Sequence, residues 1–268
     1  MDISKLFDVK GKVVLVTGGS RGIGEMIATG FISNGARVYI SSRSADVCEQ
    51  VAAKLSKQGP GQCFSIPADL QTPEGVKRLA EELKNREDHL DVLVNNAGVN
   101  NSQDFDTYTE AKWDEIIDIN LKAPYFLTKS LIPLLSVKNT PQDPSRVIMI
   151  GSIANWINVS VPNYAYSVSK AGIHRMTEAL APLLGTRNIT VNTIAPGFFR
   201  SEMTKVGFSQ FSETTINEFI KNAIPAGRTG TPEDIAGTCI YLASRAGAYT
   251  NGATIVLDGS VSHIAKDM

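Results

Sequence analysis

A chain of 268 residues with 43% hydrophobic and 20% charged residues is long enough to bury a full core and too apolar to be disordered. Lysine and arginine total 26 against 27 for aspartate and glutamate, so no basic surplus draws the chain to nucleic acid or to an anionic membrane surface. Three separated cysteines (Cys48, Cys63, Cys239) and three scattered histidines (His89, His174, His263) exclude a disulfide framework and any spacing that would hold a metal.

The β-branched run 13–17 predicts the first strand. A glycine-rich turn follows, then a helix through about Asn34, which Gly35 stops. Residues 37–42 form a second strand, 45–57 a helix ended by Gly59-Pro60-Gly61, and 63–66 a short third strand. Pro73 opens a helix to about Arg86. Residues 91–95 form a fourth strand, about 110–136 a long helix, and 146–150 a fifth strand after a loop with two prolines. Helix 164–184, strand 189–194, an irregular stretch 196–231, helix 232–243 and strand 253–257 complete the chain. Strands alternating with helices predict a doubly wound parallel α/β sheet of about seven strands with helices on both faces, in a single domain over 1–268. The start carries no apolar leader and no apolar run reaches about 18 residues, so a cytoplasmic protein is expected.

Thr17-Gly18-Gly19-Ser20-Arg21-Gly22-Ile23-Gly24 joins the first strand to the first helix. Glycines at 18, 22 and 24 allow a tight turn, and the helix N-terminus behind it offers free N–H groups to a pyrophosphate. The bland alternative is a glycine turn without a ligand. An NAD site would carry Asp or Glu about 20 residues on. Here Ser41-Ser42-Arg43 stands at that place, and Arg43 with Arg21 suits a ribose 2′-phosphate, so NADP(H) is expected over NAD(H). Two solvated surface arginines are the alternative.

Tyr166 and Lys170 are four apart on a predicted helix and share one face. Ser152 follows the fifth strand at the sheet edge where α/β sites open, and Asn120 falls inside the long helix. Ketone reduction needs a hydride donor and a proton donor. A free phenol has a pKa near 10, and lowering it by about three units takes roughly 4 kcal/mol. A lysine cation about 4 Å away supplies on the order of 4 kcal/mol at an effective dielectric near 20. By itself a Tyr-x3-Lys pair is usually plain helix surface; its company gives it weight.

Taken together, Thr17-Gly18-x3-Gly22-x-Gly24, Asn95-Asn96-Ala97-Gly98, Asn120, Ser152, Tyr166-x3-Lys170 and Pro196-Gly197 resemble the short-chain dehydrogenase/reductase family over residues 11–259. The stretches 18–24, 36–43 and 66–70 look most like its NADPH-dependent 3-oxoacyl reductases, the rhamnolipid-associated type included. The resemblance implies a Rossmann-type fold, a nicotinamide cofactor and a homotetramer. It assigns Tyr166 as acid/base, Lys170 as its pKa partner and ribose ligand, Ser152 as the substrate-orienting hydroxyl and Asn120 as anchor of a water relay. It places Gly18, Ser20, Arg21, Ile23, Gly24 and Arg43 on the phosphates, and Asp69 with Leu70 by the adenine. Asn96, Ala97 and Gly98 fall by a ribose, and Pro196, Gly197 and the Phe199 backbone by the carboxamide. Asn95 reads equally as a brace of the central sheet. Two departures stand out: Ser201 where Thr is frequent, and Asp258-Gly259-Ser260 where Asp-Gly-Gly is frequent near a subunit contact.

Phe198, Phe199, Met203, Phe208, Phe211 and Phe219 crowd a segment that reads as a lid over 196–231. Ser152, Trp156, Phe198 and Phe208 are the candidate substrate contacts, with packing of the lid onto the domain as the competing explanation. The expected reaction is NADPH-dependent reduction of a ketone to a secondary alcohol. A 3-oxoacyl thioester or related hydrophobic ketone is the expected substrate. A sugar, polyol or specialised-metabolite reductase of the same mechanism, and a non-catalytic dinucleotide-binding protein, stand as alternatives.

Overall fold

The computed structural model describes residues 1–157, 162–200 and 212–263. Strand β1 (Val13–Thr17) is buried along its whole length, as is β5 (Ser145–Ile150) and β6 (Ile189–Pro196). Continuous burial of this kind belongs to a sheet covered on both faces. With β2 (Arg37–Ser41), β3 (Gln62–Ser65), β4 (Val92–Asn95) and β7 (Thr254–Leu257) they form one seven-stranded sheet in the order β3-β2-β1-β4-β5-β6-β7, every pair parallel. The order reverses between β1 and β4, and the carboxyl ends of those two strands open the crevice where such sheets bind ligands.

Nine helices are described: α1 (Ile3–Leu6), α2 (Gly22–Ser33), α3 (Ala45–Leu55), α4 (Pro73–Arg86), α5 (Glu110–Ile117), α6 (Ala123–Leu135), α7 (Tyr164–Gly185), α8 (Glu213–Ala223) and α9 (Pro232–Ala243). Helices α2, α3 and α9 bury Ile27, Phe31, Leu55 and Leu242 on one face of the sheet. Helices α4, α6 and α7 bury Leu79, Leu83, Leu131 and Ile173 on the other. The starts of α4 and α9 fall where the prolines predict. Thr72 and Thr231 cap them through their side chains, and Asp234 completes a capping box on α9. The buried Arg146 guanidinium donates to the Leu242 and Ser244 carbonyls at 2.8 Å each, tying β5 to the C-terminus of α9.

Three features differ from the sequence reading. The long helix predicted over 110–136 is two helices, α5 and α6, joined by a wider π-turn at Asp118–Lys122. The stretch 196–231 is not wholly irregular. It contains α8, capped by Ser212, with Ile216, Ile220 and Ala223 on one side. The β-branched run Thr214-Thr215-Ile216 opposes helix propensity, and tertiary packing of that side overrides it. The short N-terminal α1, capped by Asp2, has no counterpart among the elements the sequence predicts.

Asp258-Gly259-Ser260 carries a cost that its sequence departure hints at. Gly259 has φ 62° and Ser260 φ 76°, and Ser260 bears a Cβ in that left-handed region. Ser260→Gly is expected to stabilise the fold by about 1 kcal/mol, raising Tm by about 2 °C. Scanning calorimetry checks it; a lowered Tm would show that the serine contacts outweigh the backbone strain.

Candidate active site

The crevice at the β1/β4 switch point is built by two turns that brace each other. Thr17 Oγ1 accepts from the Asn96 and Ala97 backbone N–H groups at 3.0 Å each and donates to the Val94 carbonyl at 3.3 Å. The Asn96 side-chain amide donates to the carbonyls of Thr17 (2.9 Å) and Gly18 (3.2 Å). Close approach explains the glycines. Gly18 has φ +64°, and a Cβ there would meet Asn96 Nδ2 at 2.9 Å; a Cβ on Gly24 would lie 2.2 Å from the Gly18 carbonyl oxygen. Helix α2 starts directly behind this turn, and its N-cap, Arg21, makes no side-chain cap bond. Its first N–H groups and the positive end of its dipole therefore face the crevice uncapped.

Arg21 and Arg43 are both exposed, and neither side chain makes an ion pair with a described residue. Ser20 is buried in the turn, and Ile23 and Gly24 lie on its first helical turn. Asp69 is exposed and accepts from the Gln71 N–H at 3.1 Å, beside the buried Leu70. Asn95 bonds Thr128 and the Met149 sulfur inside the core, so its side chain braces the sheet.

The proton-handling residues come together next to Gly98. Lys170 is 5% exposed, donates from Nζ to the Ile150 carbonyl at 2.8 Å and sits 5.6 Å from the centroid of the Tyr166 ring. A Cβ on Gly98 would lie 3.3 Å from Asn120 Oδ1 and 3.7 Å from Lys170 Nζ. Asn120 is in the π-turn. Its Oδ1 accepts from the Val99 N–H at 2.8 Å, and its Nδ2 donates to the Val99 carbonyl (2.9 Å) and to Ser169 Oγ (3.2 Å). The extra residue of a π-turn re-aims a helix locally, and here it turns Asn120 onto the Val99 backbone. Nothing in the residue types at 118–122 announces it.

Ser152 follows β5, is 9% exposed and accepts from the Ala154 N–H at 3.1 Å. Burial pushes the Tyr166 phenol above its ordinary value, and a hydrogen bond with Ser152 pulls part of the way back. Burial also pushes the Lys170 ammonium down to about 8. The direction of the Tyr166 shift is opposite to the one the sequence suggests. Burial is the largest cause of both shifts, and a phenol shifted upward is protonated at neutral pH. Burial of this depth is a property of the assembled core, and residue spacing cannot report it.

The remaining candidates divide. Pro196 and Gly197 end β6, with the Gly197 N–H bonded to the Leu257 carbonyl at 3.0 Å. The Phe199 ring is buried in the core beside Gly230, with which its backbone forms a parallel bridge. Phe198 meets Phe219 edge to face at 6.1 Å and packs with Ile153, Ile220 and Ile224. Trp156 is 45% exposed and stands edge-on to His174 at 4.8 Å. Phe208, Met203, Phe211 and Ser201 lie outside the described residues. Among the described residues no group of three or more His, Cys, Asp or Glu side chains could hold a metal, and no helix is long and apolar enough to cross a membrane.

A glycine-walled anion cradle at a switch point, with a half-buried tyrosine and a buried serine, lysine and asparagine gathered beside it, defines a dinucleotide-dependent oxidoreductase site. A family model described as enoyl-(acyl carrier protein) reductase matches residues 18–262, and the chain belongs to the short-chain dehydrogenase/reductase family. It is 41% identical over 253 residues to the rhamnolipids biosynthesis 3-oxoacyl-(acyl-carrier-protein) reductase of Pseudomonas aeruginosa, covering 94% of this chain and 97% of that one. To the 3-oxoacyl-(acyl-carrier-protein) reductase FabG of Aquifex aeolicus it is 33% identical, covering 94% and 98%. The solved Pseudomonas aeruginosa RhlG/NADP active-site complex superposes with a TM-score of 0.90 at 39% identity, covering 96% of this chain and 99% of that one.

Proposed function

We propose that the chain is an NADP(H)-dependent reductase of 3-oxoacyl thioesters or related hydrophobic ketones. The observation that carries this reading is geometric: Lys170 Nζ lies 5.6 Å from the Tyr166 ring centroid, and Lys170 Nζ and Asn120 Oδ1 both stand beside Gly98. The residues fit a phosphorylated dinucleotide. Side chains at 18 and 24 would fill the cradle, the first N–H groups of α2 are uncapped, and Arg21 and Arg43 offer two uncommitted guanidinium groups near it. Gly18, Ser20, Ile23 and Gly24 would hold the phosphates, Asp69 and Leu70 the adenine, and Asn96, Ala97 and Gly98 a ribose. Pro196, Gly197 and the Phe199 backbone would hold the carboxamide.

When bound, the reduced nicotinamide supplies the hydride. Ser152 then holds the substrate oxygen, and Tyr166 transfers its phenolic proton to that oxygen as negative charge develops there. An alkoxide is far more basic than a phenolate, so a phenol of raised pKa remains an adequate donor and favours the reductive direction. Lys170 keeps a cation beside the pair and serves the ribose, and Asn120, fixed on Val99, anchors a water path that re-protonates Tyr166.

The apolar set Ile153, Ile157, Phe198 and Ile220 supports an acyl chain over a free sugar, with 196–231 acting as a lid that includes α8. The names of the 3-oxoacyl reductase relatives support the same substrate class. Tyr125 and Phe126 on α6 and Tyr164, Val168 and Leu183 on α7 are large apolar side chains left exposed, which supports self-association; the family resemblance makes the assembly a homotetramer and the compartment the cytoplasm.

An NADPH-oxidation screen over acetoacetyl and longer 3-oxoacyl thioesters, keto sugars and bulky aromatic ketones tests the reading. The thioesters should be the fastest substrates, and a keto sugar ahead of them would overturn the assignment. In the same assay Arg43→Asp should shift the NADPH/NADH ratio of kcat/KM at least about tenfold toward NADH, the worth of one lost charge-assisted bond to phosphate. An unchanged ratio would clear Arg43.

A further inference from the structure

Tyr166 and Lys170 do not exhaust the inward face of α7. His174 follows Lys170 by four residues and so lies one turn further along the same face. Its side chain is 7% exposed. Nδ1 lies 3.3 Å from Thr254 Oγ1 on β7, whereas Nε2 is buried without a hydrogen-bond partner. That nitrogen points at the backbone bearing the Ser152 hydroxyl: a Cβ on Gly151 would come within 2.5 Å of it. The same ring meets Trp156 edge to face at 4.8 Å. One imidazole therefore touches both ends of the 151–156 segment from the helix that carries Tyr166.

We propose that His174 is a positioning residue of this site: its imidazole braces the Gly151–Ser152 backbone and so sets the Ser152 hydroxyl against the Tyr166 phenol. The role rests on the ketone-reductase reading. The tautomer follows from the neighbours. Burial pushes the ring's pKa down, with Lys170 adding to that effect, while the Ser152 carbonyl and Glu178 pull it up, so the ring is neutral at pH 7. With the proton on Nε2, that nitrogen turns an N–H toward the Gly151 backbone while Nδ1 accepts from the Thr254 hydroxyl. The other tautomer would leave Nε2 a buried acceptor against the Gly151 backbone. Gly151 has no side chain for the same reason, since a Cβ would occupy the place that Nε2 takes.

Three variants separate bracing from mere packing. His174→Phe keeps a ring against Trp156 and deletes both nitrogens, His174→Gln returns a donor near the Nε2 position, and His174→Asn returns one near Nδ1 only. Steady-state kinetics on the full chain, with NADPH and the best thioester, should show kcat down about tenfold in the Phe and Asn variants, the scale of one positioned hydrogen bond. The KM for NADPH should stay unchanged, and Gln should recover most of the loss. A second readout needs no substrate. In protein labelled with 3-fluorotyrosine, the Tyr166 fluorine resonance, assigned by its absence in Tyr166→Phe, should move in the Phe and Asn variants and hold in Gln. Equal kcat in all variants, an equal loss in all three, or an unmoved resonance would overturn the proposal. A wild-type protein that reduces no ketone would instead defeat the functional reading, and the resonance would still decide the role of His174.

Discussion

Tyr166→Phe is expected to lower turnover by about three orders of magnitude while leaving NADPH affinity within about twofold, because it deletes one general acid and little else. The phenol is where the site concentrates its proton chemistry. Burial pushes its pKa above the ordinary phenol value, with Ser152 pulling part of the way back. At pH 7 it is therefore fully in the donor form, and its proton is released only when an oxygen of greater basicity is generated beside it. The phenylalanine ring retains the packing on α7 and removes the proton. What survives is hydride transfer to a carbonyl held by Ser152, with solvent as the proton source. Stopped-flow measurement of NADPH oxidation, with fluorescence titration of NADPH binding, checks both halves. A variant that retained more than about a tenth of the turnover would assign the proton to another group, since a positioned acid contributes at least about a hundredfold.

The parts of this site that sequence alone displays are those enforced by local chemistry. Pro73 and Pro232 with their threonine caps set the helix starts, and glycines 18 and 24 mark a backbone approach that no side chain tolerates. The alternation of apolar runs fixes the parallel sheet in the same way. What the sequence hides depends on tertiary surroundings. The π-turn at Asp118–Lys122 has no residue signature, yet it brings Asn120 onto Val99. Asn96 carries its amide to Thr17 and Gly18, so its side chain stabilises the cradle from outside. His174 looks like any histidine on a helix until Gly151 and Trp156 are seen to close around it. The sign of the Tyr166 shift depends on weighing desolvation against charge, and the first of these is set by everything packed above the helix.

Lys170→Met should make the protein more stable and nearly inactive. Lys170 is 5% exposed, its ordinary pKa of 10.5 is pushed down to about 8, and burial is the sole cause. Between those two values the unfolded chain holds a proton that the folded chain has released, so stability rises with pH across that window. Below about 8 both states are protonated, and the folded state carries the whole desolvation penalty. A shift from 10.5 to about 8 corresponds to about 3 kcal/mol at pH 7. Methionine fills a similar volume without a charge. It forfeits the bond to the Ile150 carbonyl, worth about 1 kcal/mol, which leaves a net gain of about 2 kcal/mol at pH 7. The gain should fade above pH 8 and reverse by pH 10.5, where the wild-type lysine is neutral in the fold. Urea denaturation of both proteins at pH 7 and pH 9.5 measures it; a methionine variant less stable than wild type at pH 7 would show that the ammonium is compensated by its surroundings. The same cation explains why the lysine is worth its cost to the fold. Without it the Tyr166 phenolate left after proton transfer has no counter-charge in a buried site, so reductase activity in the variant should fall by at least about a hundredfold. In the wild type, reduction should decline as pH climbs past 8 and the ammonium is lost.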